Sequence, residues 1–225
     1  MSIAKAKVWI SFVVSFTVMA ATIFLSAGTI DDYWRAWGFL AVVAVTNIPL
    51  TWFITKTPRL LEARMKAGPR AEKRPVQKLV SALAGLSFIA VCIVAGLDHR
   101  FRWSHVPPWL AIVGDLLVAL GMGIVYRVFK ENSFASATIG ISEDQRVIAT
   151  GPYAVVRHPM YSGAAAYTIG MALALGSYWG LLASVLVVLG LVWRLFDEEA
   201  MLASGLLGYR EYCARTRWRL VPRVF

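Results

Sequence analysis

The sequence predicts an all-α integral membrane protein, a bundle of about six helices in which five spans are counted and the last is a helical hairpin. Three observations predict it. First, 58% of the 225 residues are hydrophobic and only 16% are charged, against roughly 45–50% apolar in soluble domains. Second, the apolar residues fall into long uninterrupted runs. Third, the 23 Lys and Arg residues, which with 13 Asp and Glu give a net charge of +10, lie between those runs and not in one basic patch. The charge therefore reads as membrane topology, and nucleic acid is not an expected partner. Cys92 and Cys213 supply neither a disulfide framework nor a metal cluster, so no metal site is expected.

A hydrocarbon core roughly 30 Å thick needs about 20 apolar residues at helical rise. Residues 8–28, 36–54, 79–97 and 109–128 each meet or approach that length. The run 163–193 exceeds it, and Leu175-Gly176-Ser177-Tyr178-Trp179-Gly180 in its middle carries two glycines and interfacial aromatics. That composition marks a turn between two helices, either two full spans or a re-entrant pair. The first run follows Lys5 and Lys7 like a secretory signal, but it is longer than the usual 7–15 apolar residues and the pattern recurs downstream. It reads as a membrane helix.

With the N-terminus cytosolic, every basic residue except Arg35, Arg100 and Arg102 falls on the cytosolic side, as the positive-inside rule demands. Both termini are expected there. The polar insert 56–78, with Gly68-Pro69 and Pro75, reads as a basic loop that sets orientation and meets anionic lipid.

Two cytosolic stretches concentrate polar residues. Segment 129–161 cannot span a membrane, and its aromatic and turn residues argue against disorder. Within it Gly151-Pro152-Tyr153 is a turn, and in Arg157-His158-Pro159-Met160-Tyr161 proline suits the first helical position, which places His158 at the cap. A helix start with free N–H groups beside Arg157 and His158 suits a carboxylate or a phosphate; a basic helix start anchored at headgroups is an equal reading. The second stretch is Arg194-Leu195-Phe196-Asp197-Glu198-Glu199. Arg194 and Glu198, four apart, share a face, and Glu199 is turned about 100° away. Three consecutive acids at the mouth of an apolar helix mark a site, the alternative being a solvated helix end with an ion pair. Gly121-Met122-Gly123, with Ala119 four before Gly123, fits close helix packing better than ligand approach. Asp115, near the outer end of its span, reads as structural or hydrated.

Several ordered motifs together resemble the isoprenylcysteine carboxyl methyltransferase family in its bacterial branch. They are Gly151-Pro152-Tyr153, then Val156-Arg157-His158-Pro159-Met160-Tyr161-Ser162-Gly163, then Glu198-Glu199-x-x-Leu202, Gly208-Tyr209-x-x-Tyr212 and Arg219-Leu220-Val221-Pro222. Lys130-Glu131-Asn132-Ser133-Phe134 and Gln145-Arg146-Val147-Ile148 match as well. The family is similar to the phospholipid N-methyltransferases, to whose glycine motif Gly121-x-Gly123 is similar. Both families use S-adenosylmethionine at the cytosolic end of a helical membrane bundle.

The resemblance covers about the C-terminal half. It implies one membrane domain, 1–225, in which 98–225 is methyltransferase-like and the spans of 1–97 have no assigned role, in a bacterial inner membrane. It further implies that Gln145, Arg146, Val147, Ile148, Tyr153, His158, Pro159, Met160 and Tyr161 line the cofactor, with Glu198 touching it from the other side and Arg194 turned toward the acceptor. The expected acceptor is lipophilic, a prenylated or small molecule drawn from the bilayer or a membrane lipid. A carboxylate is already ionised at neutral pH and needs no base, whereas an amine has to lose a proton that Glu199 can take. Other classes stay open: a phospholipid or amine N-methyltransferase, a sterol-reductase-like enzyme using NADPH, or a non-catalytic scaffold.

Overall fold

The structure, a computed structural model, describes residues 2–65, 75–134 and 145–225. Among these residues all regular structure is helical. The elements are α1 (Ile3–Ala27), α2 (Trp34–Lys56), α3 (Pro58–Met65), α4 (Pro75–Phe101), α5 (Pro108–Glu131), α6 (Pro159–Ala174), α7 (Tyr178–Gly205) and α8 (Tyr209–Arg215). Five of them, α1, α2, α4, α5 and α7, are long and apolar enough to cross a membrane. The 16 residues of α6 rise only about 24 Å. The run 163–193 therefore resolves into one short helix and one full one. Their turn is closed by Gly176 at φ 76°, a left-handed conformation that glycine takes without a Cβ penalty. Ser177 follows as N-cap, its hydroxyl accepting from Gly180 N at 2.8 Å, which satisfies a donor of the new helix.

Large apolar side chains such as Val14, Val45, Leu86, Leu116 and Leu186 are exposed on the outside of the bundle, the arrangement a lipid solvent requires and water penalises. Several buried polar groups of the interior are hydrogen-bonded to one another. Asp98, 1% exposed, accepts from Ser104 N and Ser104 Oγ, both at 2.7 Å, and from Ser177 Oγ. The Tyr33 hydroxyl donates to Leu175 O at 2.8 Å and reaches Ala95 O at 3.3 Å. These bonds tie the α1–α2, α4–α5 and α6–α7 connections together at one end of the bundle.

The α5–α6 seam is built from glycines seven apart on each helix. A Cβ on Gly121 would lie 2.5 Å from Gly163 O and 2.8 Å from Tyr167 N; one on Gly170 would lie 2.7 Å from Gly114 O. Only residues without side chains let two backbones come so near. The packing expected of Gly121-x-Gly123 thus belongs to Gly121, while a Cβ on Gly123 would meet nothing within 4 Å.

The insert 56–78 differs from a plain loop. Pro58 opens α3, in which Leu60 is fully buried beside Leu50, Ile54, Val128 and Phe129, and Pro75 opens α4. Proline at the first helical position loses no hydrogen bond. The same residue type that signals a break in sequence therefore starts two helices here, while residues 66–74 with Gly68-Pro69 lie outside the described residues. The long helices also overrun their apolar stretches, so α4 and α7 carry Gln77, Arg194, Asp197, Glu198 and Glu199 at one end of the bundle.

Candidate functional site

The end opposite Asp98 holds a cavity of about 180 Å³. Its floor is the start of α6. His158 (φ −124°, ψ 61°) is the N-cap and Pro159 the first helical residue, as the sequence predicts. This start is clamped by the C-terminal tail: Arg157 N donates to Trp218 O at 2.8 Å, His158 N to Arg219 O at 2.9 Å, and Ser162 Oγ to Leu220 O at 2.6 Å. The preceding turn, Gly151-Pro152-Tyr153, forms a single 3-10 turn over Gly151–Ala154. Tyr153 is held at both ends, its hydroxyl accepting from Asn132 Nδ2 at 2.9 Å and its carbonyl from the Tyr212 hydroxyl at 2.8 Å. Burial pushes its phenol up to about 12, partly offset by the Asn132 amide, so it is a neutral hydroxyl at any working pH.

One face of α7 closes the cavity. The Tyr161 hydroxyl donates to Glu198 Oε2 at 2.6 Å and accepts from Arg194 Nε at 3.2 Å. Arg194 is fixed from the far side as well: its Nη1 donates to Ser81 Oγ at 2.9 Å and to Gln77 Oε1 at 3.2 Å, and Gln77 Nε2 donates to Asp197 Oδ2 at 2.7 Å. Gln77 is fully buried. A planar guanidinium anchored in this way is a fixed charge on the cavity wall and not a mobile one.

All ten residues expected to line a cofactor, Gln145, Arg146, Val147, Ile148, Tyr153, His158, Pro159, Met160, Tyr161 and Glu198, line this cavity, and so does Arg194. Glu199 does not. Turned away on α7, it sits 3.0 Å from Arg157 Nη1 and 3.0 Å from Arg219 Nε, and 3.3 Å from His158 Nε2. The His158 ring stacks on Tyr161 at 5.6 Å with Nδ1 4.0 Å from Glu198 Oε2. The imidazole therefore lies between the two acids, one facing the cavity and one behind it. Sequence reading missed Leu202, Leu206, Tyr209 and Tyr212 as lining residues and gave no role to Gln77 or Ser81. The three-residue spacing of Tyr209 and Tyr212 on one face of α8 was the available signal, as was an amide at the start of an otherwise apolar helix.

The cavity combines buried aromatics, one carboxylate and a helix start. Among the described residues, buried Arg157 Nε and the Tyr209 hydroxyl have no hydrogen-bond partner, although both residues line the cavity. Buried polar groups left unmatched are costly, and two of them at one hollow fit a ligand rich in acceptors, as the carboxylate, ribose and purine of S-adenosylmethionine are.

A multi-pass helical membrane protein with a polar, aromatic-lined cavity at one end of its bundle is the class that fold and site define. Residues 109–206 match the phospholipid methyltransferase family, a stretch that runs from the second residue of α5 through α6 and α7 and carries most of the cavity lining, though not Tyr209 and Tyr212. A phosphatidylethanolamine N-methyltransferase of Pyricularia oryzae (strain 70-15 / ATCC MYA-4617 / FGSC 8958) is 24% identical over 144 residues, covering 57% of this chain and 15% of the relative. This chain thus corresponds to a small part of that relative's length. The matches relate the chain to the membrane methyltransferases at the level of the superfamily, and both are to phospholipid enzymes.

Proposed function

We propose that the protein transfers a methyl group from S-adenosylmethionine to a lipophilic acceptor that reaches the cavity from the bilayer. The observation that carries this reading is the convergence of 145–148, the α6 start and the Arg194–Glu198 face of α7 on one hollow. S-adenosylmethionine supplies an electrophilic methyl on a sulfonium, so the protein's task is alignment and exclusion of water. The α6 start with Arg157 receives the carboxylate of the methionine moiety. Tyr153, Tyr209 and Glu198 receive the nucleoside, the rings by stacking and the carboxylate by accepting ribose hydroxyls. Glu199, ion-paired behind the cavity, sets His158 and the tail and leaves the chemistry to the face that carries Glu198.

The leading acceptor is a carboxylate of the isoprenylcysteine kind, giving a methyl ester, because Arg194 sets a fixed positive charge on the cavity wall and an ionised carboxylate needs no base. The phospholipid amine is the second reading, supported by the names of the matched enzymes; Glu198 is then the acid within reach of the proton to be lost. The basic-residue distribution supports cytosolic termini, the resemblance to the bacterial branch supports an inner-membrane location, and the reach of α4 into the site through Gln77 and Ser81 supports a single domain. Titration calorimetry with S-adenosylmethionine and its demethylated product tests the reading, and absence of binding by either overturns it. Labelled methyl recovered from products after base treatment then separates a labile ester from a stable N-methyl group. Binding of NADPH in place of S-adenosylmethionine would assign the fold to reductase chemistry instead.

A further inference from the structure

The three arginines that stand apart from the general distribution of basic residues, Arg35, Arg100 and Arg102, all line one cavity of about 370 Å³ at the end of the bundle away from the methyltransferase site. They come from the start of α2 and from the end of α4 with its following turn. The acids that line the same cavity already have partners. Asp98 accepts from the two groups of Ser104 and from Ser177, and Asp32 lies 3.6 Å from His99 Nε2. Among the described residues no carboxylate pairs with Arg35, Arg100 or Arg102. The Arg35 Nη2 donates to Val106 O, which fixes the guanidinium, while its Nε is buried without a partner. Arg100 extends across the α1–α2 turn, its guanidinium carbon 3.5 Å from where a Cβ on Gly28 would stand.

Below that turn a groove of about 1100 Å³ runs between α1 and α2, walled by Phe16, Ala20, Phe24, Trp37, Leu40 and Ala41. Cavity and groove share Thr29, which sets a chamber with three arginines in its lining beside an apolar channel on the outside of the bundle. Guanidinium groups recognise phosphate oxygens by paired, charge-assisted hydrogen bonds, and an apolar channel of this size accepts a chain. We propose that this end of the protein holds one phospholipid of the leaflet it faces, the phosphodiester in the arginine chamber and an acyl chain between α1 and α2. The site is independent of the methyl-transfer reading, because it shares no residue with the cavity at the other end.

The test uses the full chain purified in a neutral maltoside detergent, with thermal unfolding and native mass spectrometry as readouts. Dioleoyl phosphatidylglycerol is expected to raise the midpoint in a saturable way and to remain bound at one copy per chain. Dioleoylglycerol, with the chains but no phosphate, and inorganic phosphate, with no chains, are each expected to stabilise at least tenfold less effectively on a concentration scale. Arg100→Gln combined with Arg102→Gln, both exposed positions, should weaken the lipid effect at least tenfold, and Ala41→Trp should do the same by filling the channel. If the double variant fails to fold, Ala41→Trp and the two chemical controls still decide. Equal stabilisation by dioleoylglycerol overturns the phosphate half of the proposal and equal stabilisation by phosphate overturns the channel half. Unchanged lipid retention in the folded variants overturns the whole, and none of these results touches binding of S-adenosylmethionine.

Discussion

Replacing Gly121 by alanine puts a methyl group where the α5–α6 seam has no room. The new carbon lies 2.5 Å from Gly163 O, 2.8 Å from Tyr167 N and 3.2 Å from Tyr167 Cα. All three are backbone atoms, so no side chain can swing aside and the helices have to part. Gly123→Ala on the same helix is the matched control, since nothing lies within 4 Å of its Cβ. Alanine gains about 1 kcal/mol of helix propensity over glycine at either position, so that gain cancels between the two variants and their difference isolates the clash. Overpacking costs about 1–3 kcal/mol, and a chain of this size shifts its midpoint by roughly 2–4 °C per kcal/mol. Cys92 is buried among the helices and becomes reactive to a maleimide dye on unfolding, which gives the assay once Cys213 is replaced by serine. Gly121→Ala should therefore unfold several degrees below Gly123→Ala and bind S-adenosylmethionine more weakly, because Gly163 lies in the α6 turn that carries the cavity floor. Identical midpoints for the two variants would refute the close-packed seam.

Other consequences follow from the same geometry. Tyr161→Phe removes the hydroxyl shared by Glu198 and Arg194; a hydrogen bond to a charged group contributes about 1.5–3 kcal/mol, so cofactor affinity measured by calorimetry should fall roughly tenfold or more. Gln77→Leu frees Arg194 and Asp197 from the buried amide, and should raise the KM for the lipophilic acceptor while leaving the dissociation constant for S-adenosylmethionine near its original value. Glu199→Gln leaves Arg157 and Arg219 without their shared carboxylate, and limited proteolysis with trypsin should then cut at Arg217 and Arg219 sooner than in the unaltered protein. In an alkaline absorbance titration the Tyr153 phenol should ionise near 12 in the folded protein and near 10 once unfolded. Its folded pKa is the higher one, so the stability linked to it is present below pH 10 and is lost as pH rises toward 12.

Much of this architecture was legible because a membrane imposes one rule, apolar runs of helical length, that the sequence obeys in the open. The hairpin at Gly176 and the His158 cap were equally readable, since glycine at positive φ and proline at the first helical position are local facts of backbone chemistry. Less visible was α3, where Leu60 is buried by contacts with α2 and α5 that a polar, proline-rich stretch does not announce. The cavity residues that carried motifs were found together, whereas Gln77 and Ser81 were not, because they meet Arg194 from more than a hundred positions away. Glu198 and Glu199 show the limit most clearly. Their neighbouring positions gave the 100° separation of their side chains, but only the approach of Arg157 and Arg219 from other segments decides which of the two faces the hollow.

The clamp of Trp218, Arg219 and Leu220 on the α6 start has a consequence for biogenesis. Among the described residues the five long apolar helices all precede the clamp in the chain, so their segments are synthesised before it. The helices that wall the cavity are thus made before the segment that clamps its floor, and the α6 start takes its final form only once that segment reaches back to Arg157 and His158.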